Sequence, residues 1–211
     1  MDDLVRELQE EIKRLLLPDV VRKDRYTNAL ETNRAIIVET WYTWAQEFFC
    51  DAVGFVIGGA AFTHAFSMYL RMLGRNQYHV EKLAHRSHPV TWIRIQLLAD
   101  RVRQMGSNAV AADLEDEWNQ IASALGIAEN HYYGFYAPAF LPIIQQKLDD
   151  MLTETEPREF HESEVSGHEL KSTFTSPVEL LNSAWKRFRN NPDSYQEWEK
   201  NAIARFVESD T

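Results

Sequence analysis

The chain has 211 residues, is 45% hydrophobic and 12% aromatic, and carries a formal charge of −10 from 22 basic and 32 acidic residues. That length allows one sizeable core with a small appendage, and that apolar content excludes a disordered chain. The acidity argues against a nucleic-acid partner, and the best basic cluster, Lys186, Arg187 and Arg189, is short enough to be a solvated helix end.

Helical periodicity governs nearly the whole chain. The stretch MDDLVRELQEEIKRLLL is acidic and amphipathic, which predicts a helix over about 3–17, ended by Pro18. It lacks the basic-then-apolar order of a signal peptide. A long helix is expected from Asn33, as N-cap, to the Gly58-Gly59 pair, and another from Ala60 to about Leu73. The run from Phe48 to Phe66 is the most apolar, but Asp51, His64 and the glycine pair interrupt it, so no membrane span is expected. Cys50, the single cysteine, excludes an internal disulfide and fits a reducing cytoplasm. Its apolar neighbours predict a small buried hydrophobe.

After a loop rich in His and Asn, SHPVTWIRIQLLADRVRQM predicts a helix with Ser87 as N-cap and Pro89 in its first turn. Further helices are expected over 109–125 and 138–152. HYYGFYAPAF, residues 131 to 140, reads first as core packing at a helix corner, with a pocket lining or a partner contact as the alternative. Residues 153–175 are acidic and aperiodic and read as a linker or long loop. Two short helices then open with Ser176 and Asp193 as caps. The expected fold is all-α: an irregular multi-helix bundle with a core domain over 1–152, the acidic linker, and a C-terminal helical segment over 176–211.

In the long helix, Trp41, Trp44, Phe48, Ala52 and Phe55 recur at spacings of three and four and predict a core face. Glu47, Asp51, Gly54 and Gly58 form a second stripe at the same spacings. Glycine inside a helix costs roughly 1 kcal/mol against Ala, so this stripe predicts a docking face that another backbone approaches closely. Unpaired acids in apolar surroundings are costly, so Glu47 and Asp51 are expected to hold a cation, pair with Arg or His, or reach water.

EFFCDAVGFVIGGAAF, followed by HPVTWIRI, resembles the C-terminal half of the catalytic region in gluzincin-type zinc metallopeptidases, and SPVELLNSAW resembles the ends of bacterial members. The resemblance spans about Trp41 to Leu98. It implies Glu47 as a zinc ligand, Asp51 as the group that orients a ligand His, and His88, Pro89 and Arg94 as the later His-Pro and Arg motif. It also implies a catalytic zinc with three protein ligands and an open position for water.

The chain departs from that pattern in lacking HExxH. Its seven His are 64, 79, 85, 88, 131, 161 and 168, none four apart, and no His precedes Glu47. The complete zinc site is therefore not expected in this chain alone. His85 and His88 are weaker candidates to share a metal with Glu47, if their loop folds back. The expected function is a pseudo-peptidase-like or truncated helical module that binds a protein partner. The alternatives are a zinc peptidase completed by a missing N-terminal HExxH segment or another chain, and an unrelated helical domain. No cofactor is expected without that completion, and the oligomeric state is left open.

Overall fold

The computed structural model describes residues 2–16, 27–74, 77–80, 88–129, 131–132, 134–161, 164 and 173–209. Among them are seven α-helices and no strand: α1 (Asp2–Leu15), α2 (Thr27–Leu73), α3 (Thr91–Gln104), α4 (Asn108–Ala124), α5 (Leu141–Thr155), α6 (Pro177–Asn190) and α7 (Tyr195–Ser209). The all-α expectation holds. Short 3-10 turns at Pro138–Phe140 and Pro192–Ser194 lead into α5 and α7.

The boundaries differ from expectation in several places, among them Asp193, which is not a cap but lies inside the 3-10 turn Pro192–Ser194, capped by Asn191. The long helix begins at Thr27 and Asn33 lies inside it, because TNALET already contains good helix formers. Helix α3 begins at Thr91, so Pro89 precedes it rather than sitting in its first turn. Val90 occupies the N-cap position without a side-chain cap, and the Trp92 amide instead donates to the Gln77 carbonyl at 2.8 Å. Ser87, His85 and Pro18 lie outside the described residues.

The chain folds as two compact units interleaved in sequence: Met1–Ala52 with Leu73–Glu156, and Val53–Met72 with Pro157–Thr211. Residues 53–72, expected in the core domain, thus belong with the C-terminal helices. Part of the expected linker, 165–172, lies outside the described residues.

In the first unit Trp41 and Trp44 are fully buried, with ring centroids 5.5 Å apart in an edge-on contact. Phe135 and Phe140 pack against them, and the Trp41 indole donates to the Phe135 carbonyl at 2.8 Å, which settles HYYGFYAPAF as core at those positions. Val5, Leu8 and Ile12 bury the apolar stripe of α1, and Lys147 on α5 reaches Glu7 at 2.6 Å. Arg101 donates to Gln145 and Asp149, fastening α3 to α5 through a buried polar contact.

In the second unit α2 is interrupted at Gly59, where φ 60° and ψ −143° lie in a region that only glycine adopts readily. An interruption frees backbone groups that a continuous helix would pair. Asn182 of α6, itself buried, takes up two of them. Its side-chain oxygen accepts from the Ala61 amide at 2.9 Å, and its amide donates to the Gly58 carbonyl at 3.0 Å. The start of α6 is fixed by Ser176, whose hydroxyl accepts from the Glu179 amide, with Pro177 next to it.

By length and composition alone, the segment Arg34–Leu73 of α2 is apolar enough to cross a membrane, a test that the core helix of a globular protein also passes. Less than half of its most apolar window, 44%, is buried.

Candidate functional site

Glu47 and Asp51 lie one turn apart on the first limb of α2, within the first unit, on the flank of the face that buries Trp44 and Phe48. The segment that precedes α3 brings His88 to them, and the first turn of α3 brings Arg94. The Arg94 guanidinium meets Asp51 fork to fork: Nε donates to Oδ2 at 2.7 Å and Nη2 to Oδ1 at 2.6 Å. The same Nη2 stands 3.3 Å from Glu47 Oε2, and His88 Nδ1 lies 3.0 Å from Glu47 Oε1. The four residues thus form one chain of contacts, His88–Glu47–Arg94–Asp51. The structure joins the candidates Glu47, Asp51, His88 and Arg94 in one place.

Burial grades along this chain. The Asp51 side chain is 6% exposed and Arg94 11%, whereas Glu47 is 28% and His88 70% exposed. Burial pushes the Asp51 carboxyl up to about 6; hydrogen bonds and charge from Arg94 oppose this, and the Glu47 charge adds to it. Burial also works against the Arg94 cation, but the hydrogen bonds and charge of Asp51, with Glu47, outweigh it and raise Arg94. The inner pair is a charge-assisted, two-point contact in low dielectric, where losing one partner is expensive. The outer His88–Glu47 contact is solvated and contributes little.

Cys50 is exposed, not buried as its neighbours suggested. At 100° per residue it lies about 180° around the helix from Trp41, so an apolar run in sequence gave the wrong face. Partial burial of its sulfur and the charges of Glu47 and Asp51 push the thiol up, which disfavours the thiolate.

The glycine half of the stripe falls in the second unit. A side chain at Gly54 would meet the ring of Phe62, and one at Gly58 would meet the Phe62 Cβ at 2.9 Å. The close approach expected from another helix is made at these positions by the chain's own next turn, after the break at Gly59.

A catalytic zinc needs three protein ligands. Among the described residues no group of three His, Cys, Asp or Glu side chains could hold a metal ion. Glu47 and His88 supply two donors, Asp51 is engaged by a guanidinium, and the Arg94 cation stands where it would repel a metal at Glu47. The described residues do not by themselves make a zinc site. His79 and His131 stack on each other, 5.5 Å between ring centroids, and the His131 amide donates to His79 Nδ1. What the four-residue cluster can do is fix the start of α3 to the middle of α2 and present a partly exposed His–carboxylate edge.

Sequence reasoning did not single out the apolar groove of the second unit, about 560 Å³, between residues 54–68 of α2 and α6. One signal was available: Leu181, Ala184, Trp185 and Phe188 recur at helical spacing on α6. Asn182 was also missed, although an Asn inside a predicted helix already asks for a backbone partner.

Compared with known proteins, the chain matches no family model, no curated protein and no solved structure.

Proposed function

We propose that the chain is a non-catalytic helical interaction module, built on the half of a gluzincin-like scaffold that carries Glu-x-x-x-Asp. The observation that carries this reading is the capture of both carboxylates by Arg94, at 2.6 Å to Asp51 and 3.3 Å to Glu47. A carboxylate already paired with a guanidinium neither needs a metal for neutralisation nor offers one an unopposed charge. Glu47, Asp51 and Arg94 then serve as a polar fastening between helices, and the chain acts by binding a protein.

The test is hydrolysis of labelled casein by the purified chain, with and without added zinc. No zinc-dependent turnover is expected. Turnover that needs zinc and disappears in Glu47→Gln would overturn the reading.

A second reading is a zinc peptidase whose two His ligands come from another polypeptide. The solvent access of Glu47 and His88 favours it, since an incoming segment would reach both. Under that reading, a separate HExxH-bearing polypeptide added to the chain restores zinc-dependent hydrolysis.

A further inference from the structure

We propose that a polar cavity in the first unit, walled by α3, α4 and the segment before α5, binds a small primary amine in its ammonium form. This goes beyond the reading of the chain as an interaction module and does not rest on it.

The cavity has a volume of about 280 Å³, just below the range of sites for drug-sized molecules, so its occupant is a smaller one. Gln96, Asp100 and Arg103 recur at spacings of four and three and line it from one face of α3. Glu115 borders it from α4, and Tyr132 and Tyr136 from the segment before α5. HYYGFYAPAF therefore serves two purposes. Phe135 and Phe140 are buried in the core, whereas Tyr132 and Tyr136 line the cavity. The two tyrosine rings stand 5.3 Å apart between centroids and at 86°, forming two sides of one corner.

The polar groups of this cavity keep unused capacity, and it is of one kind. Arg103 spends its charge on Glu115, donating from Nη2 to Oε2 at 2.7 Å. Among the described residues Asp100 pairs with no cation. Its Oδ2 accepts from the Gln104 amide at 3.0 Å and the Gln145 amide at 3.1 Å, and Oδ1 accepts nothing. Tyr136 is 6% exposed, and its hydroxyl makes no hydrogen bond among the described residues. Burial first, then the Asp100 charge, pushes this phenol up to about 12, so it stays protonated within reach of that carboxylate's field. The side-chain oxygen of Gln96 is buried without a partner. Such an orphan calls for one, and the terminal amide torsion is soft enough to turn it toward the cavity. Three open acceptors and one unbalanced negative charge match an ammonium group, which has three donors and no acceptor. The tyrosine rings add cation–π attraction, and Pro138 and Leu141 offer apolar contact to a carbon chain. An anion would meet the Asp100 charge, and a neutral alcohol would leave it unbalanced.

The test titrates the full chain by calorimetry with n-butylammonium chloride, 1-butanol and sodium butyrate. Sodium chloride at about 0.15 M screens diffuse attraction of cations to the acidic surface. Butylammonium is expected to bind at one site, about tenfold more tightly than either of the others. Tyr136→Phe removes only a hydroxyl without a partner, so it is expected to weaken the amine by about threefold with the melting temperature unchanged. Asp100→Asn is expected to weaken it by about tenfold and to erase the preference over butanol. Gln96→Leu is expected to weaken the amine without lowering the melting temperature, because it removes an orphaned oxygen.

Absence of butylammonium binding, or equal binding of all three compounds, would overturn the proposal. So would amine binding that Tyr136→Phe and Asp100→Asn both leave intact, since the amine then sits elsewhere. The casein assay on the same preparation keeps the two readings apart. Zinc-dependent hydrolysis overturns the non-catalytic reading alone, and absent amine binding overturns the cavity alone.

Discussion

Glu47 and Asp51 on one side of Ala52, and Gly54 and Gly58 on the other, form one stripe in sequence and meet opposite kinds of neighbour. The acids are answered from more than forty residues away, by His88 and Arg94. The glycines are answered within eight residues of chain, by Phe62 after the break at Gly59. A buried charge must find a counter-charge wherever the fold supplies one, because leaving it unpaired is prohibitive. A missing side chain needs only volume, and the nearest ring fills it. Equal spacing on a helix therefore does not imply a shared role.

The largest way to break this comparison is at Arg94. Arg94→Ala leaves the Asp51 carboxylate buried without its partner and is expected to destabilise the first unit by about 3–5 kcal/mol in urea unfolding. Adding Asp51→Asn to that variant is expected to recover part of the loss, because the orphaned charge is then gone.

Next comes Asn182, which serves the backbone on both sides of the Gly59 break. Asn182→Ala leaves the Ala61 amide and the Gly58 carbonyl without this partner and is expected to cost about 2–3 kcal/mol. Asn182→Asp, which keeps the acceptor but sets a buried carboxylate oxygen against the Gly58 and Val178 carbonyls, should cost at least as much.

A smaller effect sharpens the local half. Gly54→Ala forces a methyl against the Phe62 ring and is expected to cost about 1–3 kcal/mol. Phe62→Leu is expected to relieve most of that penalty in a double-mutant cycle. Additive losses would mean that Phe62 is not what fills the glycine face.

The smallest effect is a pH dependence in the second unit. Hydrogen bonds from Ser176 and the His161 amide, then Arg158, hold Glu164 down at about 2. Its folded value lies below its unfolded one. Its contribution is therefore complete above the ordinary glutamate range of about 4.5 and is lost as pH falls toward 2. Unfolding free energy measured from pH 5 down to 2 should fall less steeply in Glu164→Gln.

Much of this was legible in the sequence, for identifiable reasons. The Gly58-Gly59 pair marks a helix boundary by backbone freedom alone, and the structure breaks α2 at Gly59. The Trp41, Trp44 and Phe48 face follows from period, and all three are buried. The resemblance singled out His88 and Arg94 but did not pair them with Glu47 and Asp51, since no local rule connects position 51 to position 94. Cys50 was misread because composition was weighed without helix angle. The assignment of residues 53–72 to the second unit was not legible, because it depends on long-range packing against the C-terminal helices.

The central claim is that Arg94, not a metal, answers the two acids. Metal analysis of the purified full chain after incubation with zinc tests it most directly, comparing wild type with Glu47→Gln. The account predicts far less than one zinc per chain in both. One zinc per wild-type chain, lost in Glu47→Gln, would contradict it.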